Sequence, residues 1–308
     1  MRFFTIKKNF NLMQHRRIAA VFSVLLIIIC TASLITRGLN YSIDFTGGTL
    51  IEIDPSTTLT AAQIRSSLEE AGIAGAVVQI GGDGLVLLKL PPGAGGSAAG
   101  ETALNAVRGI DAKAELLRIE FVGPQVSEEL FTSAAAALLV VAIGISIYLS
   151  LRFKWRMAIG AIVANLHDVL FILGTFSLFG WEFGLPVLAA VLAILGYSVN
   201  ETVVIFDRVR ENLRGARSNA TIATVLDASI TQTWSRTIIT HGSTQLAVLA
   251  MLLFGGEALF FFALALTIGI FSSIYSSILI SGPVSLALGL SRQDFIEPKR
   301  RAEDGAIV

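Results

Sequence analysis

Three polar residues interrupt a long apolar stretch of the chain, and they are the first candidates for chemistry. Residues 157–179 read MAIGAIVANLHDVLFILGTFSLF, with Asn165, His167 and Asp168 near the centre. Asp168 follows Arg156 by twelve residues, which is ~18 Å along a helix, and the hydrocarbon layer of a bilayer is ~30 Å thick. A charge at that depth costs at least ~2.5–3.5 kcal/mol. The position therefore predicts an ion or proton site; the alternative is an uncharged Asp168 that hydrogen-bonds a neighbouring helix.

A second titratable pair is predicted in the two apolar stretches that follow. Glu201 precedes Arg208 by seven residues, and His241 follows Arg236 by five, so they lie ~10 Å and ~8 Å inside their helices. The two helices are consecutive and antiparallel, which places both side chains at a similar depth. We predict that Glu201 and His241 can pair, because each reduces the desolvation cost of the other.

Neighbouring residues set the faces on which these groups lie. Asn165 shares a face with Asp168 by its three-residue spacing. His167 lies ~100° around the same helix, where it is either part of the site or a hydrogen-bonded packing residue. Asn200, next to Glu201, is a further candidate. The last apolar stretch carries small residues at helical spacing, which predict a helix-packing face: Gly269, Ser272, Ser273, Ser276, Ser277 and Ser281.

Composition identifies the class of protein that must position these groups. Hydrophobic residues make up 54% of the 308 residues and charged residues only 15%, against ~25% charged in an average soluble domain. The formal net charge is zero, which gives no electrostatic reason to bind nucleic acid. The single cysteine, Cys30, lies in an apolar run, so neither a disulfide framework nor a thiolate metal site is predicted.

Six stretches are apolar and long enough to cross a bilayer. The first follows five basic residues, but it is long for a secretory signal and lacks a small-residue cleavage site, so we interpret it as a retained helix. Lys and Arg concentrate in the segments that would then be cytoplasmic, which places both termini inside. The predicted spans are residues 18–35, 130–151, 157–179, 185–206, 237–255 and 258–281.

The predicted fold is an all-α membrane bundle of six helices with one small α+β domain. Residues 1–36 form the cytoplasmic N-terminus and first span, 37–129 the outer (periplasmic) domain, 130–291 the other five spans, and 292–308 a cytoplasmic tail. Residues 207–236 are predicted to be a cytoplasmic linker. Within that linker, residues 221–231 form either a short amphipathic surface helix or a solvated linker helix.

The outer domain has its own alternation of strands and helices. The order β-α-β-β-α-β is that of the ferredoxin-like split unit, and residues 91–100 are predicted to be a flexible loop. Gly47 and Gly48, at the start of the domain, are either a hinge or a turn into the first strand. The predicted elements are residues 49–53 (strand), 60–71 (helix), 76–80 and 85–90 (strands around a GGDG turn), 101–108 (helix) and 114–122 (strand).

Six motifs occur in order along almost the whole chain. They are Asp44–Gly48 (DFTGG), Val122–Val126 (VGPQV), His167–Val169 (HDV), Gly196–Arg208 with Glu211-Asn212, Ser235–Thr240 (SRTIIT) and Phe254–Glu257 (FGGE). In these motifs the chain resembles the SecF family of protein-export subunits, within the proton-driven resistance-nodulation-division superfamily. It departs from the family at two positions: Glu201 stands where an Asp is common, and His241 where a small residue is common.

The resemblance implies a function in protein export and a set of partners. The partners are SecD, the SecYEG channel, YajC as a further candidate, and the unfolded polypeptide in transit, at the bacterial inner membrane. The resemblance also implies that the chain is not an enzyme and that protons are the coupling ion, with no other cofactor. Asp168 would be the proton-carrying carboxylate at the SecD interface, with Arg208 or Arg236 as its basic partner.

Two alternatives come from other functional classes. One is a small-molecule or lipid exporter of the same superfamily, for which the very short outer loop between the third and fourth spans leaves little room. The other is an intramembrane aspartyl protease, which needs two acids that share a proton at one depth. Asp168 and Glu201 differ in predicted depth, and no G-x-G-D motif occurs.

Overall fold

The computed structural model describes residues 10–81, 84–92, 97–215 and 220–295. These residues form two compact units, which we call the helical unit and the outer unit. The helical unit contains the residues up to Gly38, Val140–Trp181 and the residues from Ala189 onward. The outer unit contains Leu39–Leu139 and Glu182–Leu188.

Helices dominate the described residues. The helices are α1 (Arg16–Thr36), α2 (Ile43–Thr46), α3 (Ala61–Glu70), α4 (Ser97–Ile110), α5 (Pro124–Arg152), α6 (Trp155–Phe179), α7 (Leu185–Gly215), α8 (Ile222–Phe254), α9 (Gly256–Leu279) and α10 (Ser281–Ala287). The strands are β1 (Asn40–Tyr41), β2 (Gly48–Asp54), β3 (Val77–Ile80), β4 (Val86–Leu90), β5 (Glu115–Val122) and β6 (Glu182–Phe183).

Within the described residues, six helical segments are long and apolar enough to cross a membrane. They are Met13–Thr36, Pro124–Arg152, Trp155–Phe179, Leu185–Gly215, Ile222–Phe254 and Gly256–Ala287. The predicted number of spans is confirmed, and the chain is a multi-pass membrane protein. Several helices extend further than predicted; for example, α5 begins at Pro124 rather than near residue 130.

The predicted short helix at 221–231 is wrong as a separate element. These residues are the first turns of α8, which runs continuously from Ile222 to Phe254. Val225, Leu226 and Ile230 are buried in the core of the helical unit, so this segment is not a solvated linker. The Thr221 side chain caps the helix, and no glycine or proline occurs between residues 222 and 241, so nothing ends the helix before the membrane-spanning part.

The outer unit contains the predicted sequence of elements. Its four longer strands form an antiparallel sheet in the order β3-β4-β2-β5. α3 and α4 contribute Ile64 and Val107 to a core that also contains Ile51 of β2 and Leu88 of β4. α3 begins with a capping box in which the Thr60 side chain accepts from the N–H three residues later, as its sequence favours.

The predicted loop and the predicted hairpin of this unit have different outcomes. The predicted loop at 91–100 is helical from Ser97, because the residues that follow include alanines, which favour helix. Residues 93–96 of that loop, and residues 82 and 83 of the GGDG turn, lie outside the described residues. The hairpin between β3 and β4 is confirmed by a hydrogen bond of 2.8 Å from the Gly81 amide to the Leu85 carbonyl oxygen.

Gly47 and Gly48 lie in a closely packed turn. Their φ angles are +69° and +120°, and a Cβ on Gly48 would lie 2.3 Å from the Leu90 carbonyl oxygen. Just before them, the Asp44 carboxylate accepts from the Leu185 amide at 3.0 Å, which fixes the chain on the approach to the turn. The two glycines therefore form the turn into β2, and a hinge motion at this turn stays a prediction.

Candidate functional site

The Asp168 carboxyl group is buried in the helical unit among hydroxyl groups. Its residue lies on α6 and is 1% exposed. The Ser198 hydroxyl donates to Oδ2 at 2.6 Å, the Ser272 hydroxyl to Oδ1 at 2.5 Å, and the Ser276 hydroxyl to Oδ2 at 2.7 Å. Ser198 lies on α7 and the other two serines on α9, so three helices meet at this carboxyl group.

The sequence of α9 explains how its hydroxyls reach Asp168. Ser272 and Ser276 are four residues apart and therefore lie on one face of the helix. Gly269, one turn earlier, packs against Ile194 of α7, and a Cβ there would lie 2.5 Å from Ile194 Cγ1. Because no side chain separates them, the two helices approach closely. The small-residue face therefore packs as predicted and also supplies hydrogen-bond donors to Asp168.

Asn165 and His167 take different positions around Asp168. The Asn165 side-chain amide donates to the Leu195 carbonyl oxygen at 2.9 Å, which joins α6 to α7. His167 is 7% exposed, and its ring stacks on Phe171 with the centroids 6.4 Å apart. Its Nδ1 lies 3.5 Å from Asp168 Oδ1, and neither ring nitrogen hydrogen-bonds to a described residue. Asn165 therefore holds two helices together, whereas His167 lies beside the carboxyl group.

The structure places Glu201 and His241 next to each other. Their residues are each 4% exposed, and Glu201 Oε2 lies 3.9 Å from His241 Nδ1. Thr237 lies between them: its hydroxyl donates to Glu201 Oε1 at 2.5 Å, and its carbonyl oxygen is 3.0 Å from His241 Nδ1. Because a carbonyl oxygen only accepts, this contact is a hydrogen bond in the forms of His241 that carry a proton on Nδ1. The other ring nitrogen, Nε2, lies 3.5 Å from the Ser273 hydroxyl.

One helix therefore contacts both Asp168 and His241. Ser272 and Ser276 of α9 bind Asp168, and Ser273, the neighbour of Ser272, contacts His241. A polar layer thus runs from α6 through α9 to α8, and α7 contributes Ser198 and Glu201 to it. Within the described ranges, no three His, Cys, Asp or Glu side chains converge as metal ligands would.

The arginines predicted as partners of Asp168 do not reach it. Arg208 pairs instead with Glu211 on its own helix at 2.8 Å, because α7 carries it ~15 Å beyond the hydroxyl that binds Asp168. Arg236 is exposed, as is Asn200. Among the described residues, no arginine forms an ion pair with Asp168. Among the described residues, the polar groups next to Asp168 are instead the three serine hydroxyls and the His167 ring.

Sequence reasoning missed the hydroxyl donors, although their spacing was visible. Ser198 lies ten residues before Arg208, ~15 Å inside its helix and so close to the ~18 Å of Asp168. Thr237 lies one turn before His241. Ser272 and Ser276 were assigned to helix packing alone. Their pattern fits packing equally well, so the depth of each serine relative to the acids is the signal that could have separated the two functions.

These features define a class of protein: a multi-pass membrane protein whose helical unit buries Asp168 and Glu201 among hydroxyls and histidines. Comparison with known families narrows that class. The family described as "Protein export membrane protein SecD/SecF, C-terminal" matches residues 102–291, and the "SecD/SecF GG Motif" matches residues 32–58. The chain belongs to the SecD/SecF family of protein-export membrane proteins.

Individual relatives cover nearly the whole chain. The protein translocase subunit SecF of Vibrio alginolyticus is 40% identical over 301 residues, which cover 96% of this chain and 95% of the relative. SecF of Pseudomonas aeruginosa is 42% identical over 294 residues, which cover 94% and 95%. The protein translocase subunit SecDF of Brucella abortus is 40% identical over 275 residues, but only 36% of that longer protein is covered.

A solved structure shows the same fold. The crystal structure of SecDF from Thermus thermophilus, a translocon-associated membrane protein, aligns with a TM-score of 0.84 at 36% identity. The alignment covers 92% of this chain and 39% of the SecDF chain. The alignments therefore cover 95% of the length of these two SecF proteins but less than half of the length of the two SecDF proteins.

Proposed function

We propose that this chain is the SecF-type subunit of a bacterial protein-export machinery and couples proton movement to the translocation of secreted polypeptides. In this proposal it acts with a SecD-type subunit at the SecYEG channel, with YajC as a further partner. It lies in the inner membrane with both termini in the cytoplasm. The outer unit is then a ferredoxin-like periplasmic domain that meets the emerging polypeptide or the SecD-type partner.

The hydroxyl environment of Asp168 is the observation that carries the proton-coupling part of the proposal. A serine hydroxyl donates to a carboxylate and, after rotating, accepts from a protonated carboxylic acid. Three such groups at 2.5–2.7 Å can therefore satisfy both protonation states of Asp168. An arginine in their place would favour only the charged form. The site suits a group that gains and loses a proton during each cycle.

Glu201 and His241 supply a second pair of proton-exchanging groups in this proposal. Ser273 adjoins the serines that bind Asp168 and contacts His241, so α9 is the link between the two sites. His167 and Asn200 remain candidates for proton transfer beside these groups, as do Arg208 and Arg236 in a rearranged or SecD-bound state. One charge that crosses 100 mV releases ~2.3 kcal/mol, which is enough to shift a two-state equilibrium about fifty-fold.

An Asp168→Asn variant tests the proposal. Asparagine keeps the size and hydrogen-bonding capacity of the side chain but cannot exchange a proton. The variant should assemble with the SecD-type partner and lose the stimulation of export by the proton gradient. The assay is secretion of a reporter protein by cells that depend on this chain, with assembly followed by co-purification. Asp54→Asn, at an exposed position of the outer unit, serves as the matched control.

Undiminished gradient-dependent export in Asp168→Asn would refute the coupling function. Loss of assembly would instead assign Asp168 a structural function and also contradict the proposal. The alternative of a small-molecule or lipid exporter is not favoured, because SecF proteins match this chain over almost their full length. We also propose that the chain is not an enzyme and needs no cofactor besides the transported proton.

A further inference from the structure

A groove on the helical unit lies between α1, α6 and α10. Its volume is about 490 Å³, within the range of ~300–1,000 Å³ that is usual for ligand pockets. Its walls are largely apolar and include Ala20 and Val24 of α1, Leu166 of α6 and Pro283 of α10. Val24 and Leu166 are 58% and 49% exposed. All three helices belong to membrane-spanning segments, so the groove opens towards lipid.

Two arginines on α1 lie at one end of this groove. Arg16 precedes Ala20 by four residues, and Ala20 precedes Val24 by four, so the three share one face of the helix. Arg17 precedes Ala20 by three residues. Both arginines are exposed, and neither forms an ion pair with the described residues. A single helical turn, ~5 Å, therefore separates the apolar wall from two positive charges that have no ion-pair partner among the described residues.

This combination points to the chemistry of the occupant. A hydrocarbon chain fits a lipid-facing apolar groove, and a negatively charged headgroup complements the two arginines. A neutral phospholipid would fill the groove but gain little from the charges. We propose that the groove binds one phospholipid with a negatively charged headgroup. One acyl chain lies between α1, α6 and α10, and the headgroup phosphate contacts Arg16 and Arg17.

The proposed lipid also contacts the surroundings of Asp168. His167 lines the same groove, and its Nδ1 lies 3.5 Å from Asp168 Oδ1. An acyl chain in the groove covers the lipid-facing side of the imidazole ring. The lipid site is independent of the proposed proton function, because it depends on the shape of the groove and on the charge at its end.

The lipid composition that stays with the purified protein tests this inference. The full-length chain in mild detergent is equilibrated with equal amounts of phosphatidylglycerol and phosphatidylcholine that carry the same acyl chains, and native mass spectrometry measures the bound lipid. One phosphatidylglycerol per chain should remain. Each arginine near an anionic membrane lipid contributes roughly fivefold in affinity, so Arg16→Gln with Arg17→Gln should lower the preference roughly 25-fold. Val24→Trp should fill the groove and release lipids of both kinds.

Matched controls separate this site from general effects. Lys154→Gln with Arg214→Gln removes the same charge from two other exposed positions and should leave the preference unchanged. Val21→Trp makes the same substitution at a position that is 61% exposed and does not line the groove. Melting temperatures confirm that each variant is folded. Equal retention of both lipids by the unsubstituted chain, loss of lipid in the controls, or a second copy of the chain in place of lipid would overturn the inference.

Discussion

The contact between Glu201 and His241 predicts a measurable energetic coupling. The two side chains are each 5% exposed, and Glu201 Oε2 lies 3.9 Å from His241 Nδ1. Replacement of each residue by glutamine, alone and together, removes the charge of one or both partners and keeps a polar side chain. Each single variant leaves one buried ionisable group without its counterpart. The destabilisations of the two single variants should therefore sum to more than the destabilisation of the double variant.

The size of this coupling free energy follows from the distance between the two groups and from their burial. Two charges 3.9 Å apart attract by about 4 kcal/mol at an effective dielectric constant of about 20. Desolvation of both groups offsets part of this attraction. Each group also keeps a contact with Thr237 after its partner is lost, through the hydroxyl or the carbonyl oxygen. We therefore expect a coupling free energy of about 1–3 kcal/mol, typical of residues in direct contact.

Equilibrium unfolding of the four proteins gives the coupling free energy. Increasing fractions of a denaturing detergent unfold the full-length chain in mixed micelles, and the fluorescence of its three tryptophans follows the transition. All four proteins are measured under the same conditions. A control cycle combines Glu201→Gln with His15→Gln, since His15 is exposed.

Additivity would refute this reasoning. If the free-energy changes of the single variants sum to that of the double variant within about 0.5 kcal/mol, the two groups do not interact. The control cycle should be additive, because distant residues without shared partners usually are.

Two further predictions concern the outer unit, and hydrogen exchange of the full-length chain measures both. Gly48→Ala should destabilise the sheet by at least ~1–3 kcal/mol and accelerate exchange in β4, because the φ of Gly48 is +120° and a Cβ there would lie 2.3 Å from a β4 carbonyl oxygen. The control Gly109→Ala, at a position with open space, should not accelerate exchange. Equal effects of the two substitutions would contradict the explanation. The Ser56 hydroxyl is the largest cause that lowers the pKa of Asp111, so this stabilisation is present above the ordinary aspartate pKa of ~3.9 and is lost as pH falls through the lower folded pKa. Asp111→Asn should therefore expose the Ser56 loop near neutral pH and match the unsubstituted chain in strong acid, unlike Asp54→Asn; a difference that does not change with pH would count against the explanation.

Depth along a helix is the property of the site that could be predicted from sequence. The rise per residue is fixed, so the positions of Asp168, Glu201 and His241 within their spans follow from the basic residues that flank them. The rotation of one helix against another is not fixed in this way. Ser272 and Ser276 could have faced any neighbour, and only the close approach at Gly269 directs them to Asp168.

The limits of the predicted fold have a similar cause. The outer unit was predictable because caps and turns are local; the Thr60 capping box is an example. The parallel pair of β1 and β6 was not predictable. Each strand has only two residues, and the pair joins Tyr41 to Phe183 across 142 positions of the chain. α8 was divided wrongly for another reason. The polar residues before Arg236 suggested a linker, whereas Ser229, Thr231 and Thr233 bond to carbonyls of their own helix.

The position of α9 joins the surroundings of Asp168 to those of His241. Ser272 and Ser276 donate to Asp168, and Ser273 contacts His241. Because the three hydroxyls belong to one continuous helix, a displacement of α9 that lengthens the contacts to Asp168 also changes the distance between Ser273 and the imidazole. In the proposed function, a coupling of the two sites through α9 is reciprocal, because thermodynamic linkage acts in both directions.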